Sequence, residues 1–390
     1  MNRKKKMNTR REFLAMTAAA GAVTPALAKP KWIEPSADVK FRSALLHLGY
    51  NMWGGYLAPG EQREKGIHYT RTQCPTDPAV WNDITALMQK RRYNMAVIDL
   101  GGGVEFPSHP EISIKGCRSA QWMRDEVRRL ADMGIEAIPK LNFSATHDAW
   151  LGIYERMVST PKYYQVAKDV IADAVEMFGN PRFVHIGMEE ESADFQRDFP
   201  VTVVRRGEVL WRDTRFLIDC VERHNARAII FGQYHFCSHE AEFYKRMPKT
   251  VVQNAGLYGH DLTLEHAKKR YEEAKADYKG RPGLWKMRCT CLDGLFRRMG
   301  DHGYDILSCA SNWVLINKQK YPVIKYGKDY PQDRESIAWL HNLLAKEVAP
   351  ERLIGGMTAP WSQMTPNYQE YWRDGINQLA DAMDSHGWKS

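Results

Sequence analysis

The sequence predicts a (β/α)8 barrel, and three observations lead there. Eight short apolar runs alternate with longer stretches whose apolar residues recur at helical spacing. Each run ends in polar or aromatic residues, where such barrels carry their reactive groups. Past its first 28 residues the chain is long for one ordinary domain but normal for a barrel with insertions.

Residues 1–28 read as an export signal. Arg3, Lys4, Lys5 and Lys6 precede TRREFLA (Thr9–Ala15), an apolar run follows, and Ala26-Leu27-Ala28 supplies a small-residue cleavage site. The paired Arg10-Arg11 before Phe13-Leu14 is similar to a twin-arginine signal, so the twin-arginine export machinery is an expected partner and the periplasm or the exterior the expected location. Residues 13–23 are too short to stay in a bilayer as a spanning helix, and no membrane insertion is expected. Setting the signal aside removes six of the 55 Lys+Arg and one of the 47 Asp+Glu, leaving 49 against 46. A balance of +3, instead of the whole chain's +8, gives no reason to expect nucleic acid. Seven cysteines (74, 117, 220, 237, 289, 291 and 309) are odd in number and scattered, unlike a disulfide framework. Cys289-Thr-Cys291 has no second pair at zinc-site spacing, so the cysteines are expected as small buried apolar side chains.

A Pro-rich lead, residues 29–42, comes before a single barrel domain, residues 43–390. The predicted strands are Ser43–Leu48, Met95–Leu100, Glu136–Leu141, Phe183–Gly187, Ala228–Gly232, Thr250–Gln253, Asp305–Ala310 and Leu353–Thr358. The predicted helices are Pro78–Lys90, Gln121–Met133, Pro161–Phe178, Val209–His224, Leu262–Tyr278, Asp333–Lys346 and Tyr368–Met383. Arg281–Gly300 breaks the alternation: LWKMRCTC reads as extended and LDGLFRRMG as helical, together an insertion on the barrel rim. No linker, charge block or repeat divides the domain.

The strand exits carry the candidate binding residues. Asn51 and Trp53 follow the first strand, Asp99 ends the second, and Asn142 and His147 follow the third. His185 lies in the fourth, Tyr234 and His235 follow the fifth, Asn254 the sixth, Trp313 the seventh and Trp361 the eighth. A ring of carboxylates, amides and indoles suits a carbohydrate, whose hydroxyls need paired donors and acceptors and whose apolar faces pack on aromatic rings. The Gly101–Gly103 run has neither the G-x-G-x-x-G spacing nor the P-loop lysine, so it is no nucleotide loop.

The fourth exit, FVHIGMEEES (Phe183–Ser192), stacks three glutamates. Glycoside cleavage gives a reason to tolerate neighbouring carboxylates: one donates a proton to the leaving oxygen while another negative group stabilises the oxocarbenium-like centre. Repulsion between them separates their pKa values, and with them acid from base. Extended alternation points Val184, Ile186 and Met188 one way and His185, Gly187 and Glu189 the other. Glu190 joins the cleft only if the chain turns after Gly187, as a glycine permits. Alternation and such a turn leave two pairs open for the catalytic carboxylates, Glu189 with Glu190 or Glu190 with Glu191; outside such a role Glu191 reads as a surface or capping residue.

HIGMEE (His185–Glu190) resembles the H-I-G-G-D-E signature of family 20 glycoside hydrolases, the β-N-acetylhexosaminidases. The likeness extends from about Ser43 to about Trp361. GIEAIPKLNFSATHDAW (Gly134–Trp150) is similar to that family's segment after strand three, with Asn142 at an acidic position and His147 at a histidine. VVQNAG (Val251–Gly256) is similar to its sixth strand, and ERLIGGMTAPWSQ (Glu351–Gln363) to its closing strand, with Trp361 kept. The resemblance implies a retaining, substrate-assisted hydrolysis in which the sugar's 2-acetamido oxygen attacks the anomeric carbon. It assigns Glu190 as general acid/base, Glu189 as the residue orienting the acetamido group, and His147 and His185 as supports of that pair. Tyr234 is the candidate for the tyrosine that binds the acetamido oxygen. Three departures stand out: Glu189 replaces an aspartate, Met188 replaces a glycine, and Asn51 and Trp53 stand where an arginine is usual.

The expected function is hydrolysis of β-linked N-acetylhexosamine or a related sugar, with carbohydrate as the small-molecule partner and neither metal nor organic cofactor. Two rival readings are a non-catalytic carbohydrate-binding barrel and a metal-dependent barrel enzyme using Glu189 or Glu190 with Asp99, His147 or His235. The oligomeric state is left open.

Overall fold

The computed structural model describes residues 32–50, 72–196, 199, 201–258, 262–276, 281–312 and 336–390. The export signal and the candidates Asn51, Trp53 and Trp313 lie outside the described residues. Among the described residues, no helix is long and apolar enough to cross a membrane.

Eight parallel strands close into a barrel in chain order. They are β1 (Phe41–His47), β2 (Met95–Asp99), β3 (Glu136–Lys140), β4 (Phe183–His185), β5 (Arg227–Ile230), β6 (Val252–Gly256), β7 (Ile306–Ala310) and β8 (Leu353–Thr358). Pairing of Phe41 with Gly355 and of Ala44 with Thr358 joins the last strand to the first. Two apolar layers result from the two-residue period of each strand. Inward residues such as Leu45, Val97, Ile138, Phe183, Ile229 and Leu307 fill the barrel, while outward ones such as Leu46, Ile98 and Val184 meet the helices.

The helices begin where capping chemistry allows. α1 (Pro78–Lys90) starts with Pro78 behind Asp77, whose carboxylate accepts from Ala79 N and Val80 N. α2 (Ala120–Asp132) is capped by Ser119, and α3 (Pro161–Met177) by Thr160 ahead of Pro161. α4 (Gly207–Glu222), the short α5 (Gln233–Ser238) and α6 (Glu240–Arg246), and α7 (Leu264–Ala276) follow. α8 (Pro282–Leu292), α9 (Leu295–Asp301), α10 (Ser336–Glu347) and α11 (Gln369–Ser385) complete the set described here.

Three differences from the sequence reading are informative. LWKMRCTC is helical, not extended: Pro282 starts α8, and its buried residues Trp285, Arg288 and Cys291 recur every three positions. β1 begins at Phe41, inside the stretch assigned to the lead, because Arg42 N donates to Asn94 Oδ1 and Ser43 Oγ to Gly356 O, which ties the start of the strand to both neighbours. β4 stops at His185, and the chain beyond it takes the turn that builds the cleft. All seven cysteines are free; Cys220, Cys291 and Cys309 are buried, whereas Cys74, Cys117, Cys237 and Cys289 are only half-buried.

The seam between β8 and β1 is tight, since a Cβ on Gly355 would fall 2.3 Å from the Phe41 carbonyl oxygen. Gly355→Ala is expected to lower stability by about 1–3 kcal/mol through overpacking. Urea unfolding checks this, and an unchanged midpoint would mean that the seam has slack.

Candidate active site

The floor of the cleft is a polar layer made by register. His47 pairs with Asp99, Asp99 with Lys140 and Lys140 with His185, so four consecutive strands place a titratable side chain at one height inside the barrel. Lys140 Nζ donates to Asp99 Oδ2 at 2.7 Å, and His47 Nδ1 lies 3.6 Å from the same oxygen. Burial opposes the charge on Asp99, but Lys140 and His47 outweigh it and hold the carboxyl well below the usual carboxylate range. His185 Nε2 meets Asn254 Oδ1 at 3.0 Å, and its Nδ1 accepts from Gly187 N at 3.0 Å. Burial first, and the charge of Lys140 second, push His185 down to about 3, so it is neutral with the proton on Nε2.

Above this floor the chain turns sharply. Gly187, Met188 and Glu190 have φ of 72°, 74° and 58°. A Cβ on Gly187 would sit 2.1 Å from Asn142 Oδ1, so only glycine fits. The left-handed residues that follow cost local strain and persist because their surroundings hold them. Ser144 Oγ donates to Glu189 O, and Thr146 Oγ1 donates to Glu190 O at 2.6 Å. Glu191, expected at the surface, is instead fully buried. Its carboxylate accepts from Ala145 N at 2.7 Å and from Arg205, whose Nε lies 3.2 Å from Oε2. Arg205 also donates to the Phe143 carbonyl at 2.7 Å and lies 3.3 Å from Asp213 Oδ2. With Arg205 in reach, a glutamate facing the helix layer is paired with a cation and need not face water.

The turn brings Glu189 and Glu190 onto one imidazole. His147 Nε2 is 3.2 Å from Glu190 Oε2 and 4.0 Å from Glu189 Oε1. Asn142 Nδ2 donates to Glu189 Oε1 at 2.8 Å, while Glu189 Oε2 is buried with no hydrogen-bond partner among the described residues. Burial opposes a charge on His147, yet the bond to Glu190 and the negative charges of both glutamates outweigh it and raise its pKa. Trp361 forms another wall: its indole packs on the barrel core, lies 5.2 Å from the His47 ring, and donates from Nε1 to Tyr258 OH at 3.1 Å. Tyr50 OH caps the Trp361 carbonyl. Burial raises the Tyr258 phenol well above its ordinary value, and the charges of Glu189 and Glu190 are among the lesser causes.

Glu189, Glu190, Asn142 and His147 thus meet directly above a layer that holds Asp99, His185 and Asn254, and Trp361 stands beside them against His47 and Tyr258. Asp99 is Lys140's buried partner, and His185 and Asn254 satisfy each other. Tyr234 and His235 are not brought in. The chain becomes helical at Gln233, so His235 Nε2 meets Thr214 Oγ1 of α4 at 2.8 Å and Tyr234 packs with the helix-facing core. Of the ligands in the metal-dependent reading, Glu189, Glu190 and His147 come together, whereas Asp99 pairs with Lys140 and His235 with Thr214. Among the described residues, no group of three or more His, Cys, Asp or Glu is placed to hold a metal ion. Sequence reasoning missed Lys140, Arg205 and Tyr258. Lys140 alone carried a signal, lying two residues before Asn142 and hence on the same inward face.

Arg205→Met is expected to cost about 3–5 kcal/mol, because Glu191 and Asp213 lose their buried counter-ion; unfolding that matches the wild type would show that the pair does not hold the turn. The raised pKa of His147 makes its stabilising contribution complete below the ordinary imidazole value of 6.5 and lost as pH rises through the raised value. His147→Gln should remove that decline in urea midpoints taken from about pH 6 to 9, and a decline that persists would assign it to another group.

No family model matches the chain, and no curated protein matches it in sequence. Solved structures do. The β-N-acetylhexosaminidase from Bacteroides fragilis NCTC 9343 is 15% identical, with 90% of this chain and 66% of that one covered at a TM-score of 0.51. The GH20 β-N-acetylhexosaminidase from Streptomyces coelicolor A3(2) is 13% identical, with 90% and 64% covered at 0.54. A mutant Streptomyces plicatus β-hexosaminidase solved with its product GlcNAc is 14% identical, with 90% and 64% covered at 0.53. The chain therefore spans less than two thirds of the length of these proteins, and what it shares with them is the eight-stranded barrel fold.

Proposed function

We propose that the chain is a glycoside hydrolase of the family 20 type that cleaves β-linked N-acetylhexosamine or a related sugar with retention. One observation carries this reading: two adjacent carboxylates converge on His147 Nε2 beyond the C-terminal ends of the barrel strands, within electrostatic reach of the Tyr258 phenol that Trp361 holds. Glu190, the more exposed of the two, is the general acid/base. The proton held between His147 Nε2 and Glu190 Oε2 goes to the glycosidic oxygen as that bond breaks. The 2-acetamido oxygen of the sugar attacks the anomeric carbon, and Glu189 Oε2, buried without a partner among the described residues, takes the acetamido N–H and stabilises the charged ring that forms. Glu190 then accepts a proton from the water that opens the ring, which restores the starting state. Trp361 supplies an apolar face for the pyranose. The barrel fold shared with β-N-acetylhexosaminidases supports the reading, as does the retained Trp361. Export by the twin-arginine route to the periplasm or beyond is part of the proposal and rests on residues 1–28.

Glu190→Gln should fold like the wild type and lose about two to four orders of magnitude in kcat on a β-N-acetylglucosaminide or β-N-acetylgalactosaminide with a poor leaving group. Unchanged turnover would end the assignment. Calorimetry with N-acetylglucosamine separates the rival: binding by a wild-type protein that turns over no such substrate would make the barrel a carbohydrate binder.

A further inference from the structure

Lys140 is a full positive charge at the bottom of a cleft whose business end is two carboxylates. It is completely buried, as are Asp99 and His185 on either side of it. A lysine in a barrel interior loses its hydration and is retained only where its charge is used. Asp99 pairs with it directly. On its other side lies His185, its register partner on β4.

We propose that Lys140 is a positioning residue for the catalytic glutamates, acting through the protonation state of His185. Only a neutral imidazole with its proton on Nε2 can accept the Gly187 N–H at Nδ1 while donating to Asn254. That Gly187 N–H opens the left-handed turn that swings Glu189 and Glu190 over the floor. A protonated His185 would direct an N–H at the Gly187 N–H, and the first bond of the turn would be lost. The ammonium on the neighbouring strand opposes that protonation. The charged groups that face His185 are Lys140 on β3, which lowers its pKa, and Asp99 on β2, which raises it; burial acts with Lys140. Uncharged neighbours of His185 are Asn254 on β6, its register partner Ile229 on β5, and Phe231, whose ring centroid is 4.9 Å away beyond β5. Lys140 touches neither glutamate in this account.

The test reads His185 directly and, separately, turnover. In nitrogen-15 histidine spectra of the full chain, wild-type His185 should remain the Nε2–H tautomer down to the acid limit of the fold. In Lys140→Met its titration should move up by about one pH unit or more, and Gly187 N–H exchange should speed about tenfold at the acid end, the same shift expressed as a population. Lys140→Arg keeps the charge and should restore both. Because Lys140→Met strands Asp99, the double variant K140M/D99N provides a folded background without a lone buried charge, and its His185 should move in the same direction by a smaller step. The kinetic arm rests on the glycosidase reading: the acid limb of kcat/KM on a chromogenic β-N-acetylglucosaminide should move up with the His185 titration while KM changes little. His185 and Gly187 that behave as wild type in both charge-removing variants would overturn the proposal and leave Lys140 as no more than the partner of Asp99. If the spectra shift but the wild type hydrolyses no such glycoside, the functional reading fails and the positioning role stands.

Discussion

The cleft depends on one buried ion pair, Glu191 with Arg205. The turn from Gly187 to Glu190 contains three positive φ values, two of them at residues with side chains, and no short turn of that kind holds itself. What holds it is the far end: the Glu191 carboxylate is clamped between the Ala145 amide and the Arg205 guanidinium, and Arg205 is fixed in turn by Asp213 and the Phe143 carbonyl. Two exits, those after β3 and β4, are thereby bolted to α4. Glu189 and Glu190 are then free to face the cleft, since their carbonyls are already satisfied by Ser144 and Thr146. The third glutamate of the run is thus the structural one, and it relieves the crowding that its position in the sequence suggests.

The polar floor and the apolar barrel wall work against each other in a productive way. Below the layer of His47, Asp99, Lys140 and His185 the interior is filled by Phe41, Leu45, Val97, Ile138 and Phe183, which exclude water from one side. Charges in the layer consequently act on one another with little screening. Lys140 and His47 thus hold Asp99 ionised against its burial, while for His185 burial comes first and the Lys140 charge adds to it. Above the layer the field reaches His147, where Lys140 and the two glutamates pull in opposite directions and the glutamates prevail.

Most of the barrel was legible in the sequence because the apolar runs obey a two-residue period and the helices a longer one. The bounds drifted where hydrogen bonding, not hydropathy, ends an element. His185 closes β4 because Gly187 turns left-handed, and no apolar pattern marks that. In the candidate site, positions fixed by a strand were legible: Asn142, His185 and Glu189 stand near one another, as strand order and alternation suggest. The site was illegible where contact crosses long loops or depends on how a loop winds. Arg205 lies fourteen positions after Glu191 with nothing in between to show that they meet. Tyr234 and His235 were drawn into the site by a strand exit that is in fact the first turn of α5. Tyr258, which accepts from the Trp361 indole, stands two residues past β6, where no alternation marks it.

The departures from the family 20 pattern read as one compensated set. Lengthening an aspartate to Glu189 moves its carboxylate outward by about one bond, a serious change where about 1 Å matters. Asn142, standing at an acidic position of that pattern, supplies the donor that fixes Oε1 at 2.8 Å. An acid at the same place would have met Glu189 as a like charge. Met188, at a glycine of the pattern, is fully buried in the helix-facing core, and its sulfur lies 3.5 Å from Arg205 Nη2. A side chain there anchors the turn from behind, while the missing Cβ of Gly187 leaves the place that Asn142 fills in front. The longer acid, its amide partner and the buried methionine therefore depend on one another. Restoring only Glu189 to aspartate would withdraw the carboxylate from Asn142 and His147 together, and would leave the buried donor of Asn142 without its acceptor.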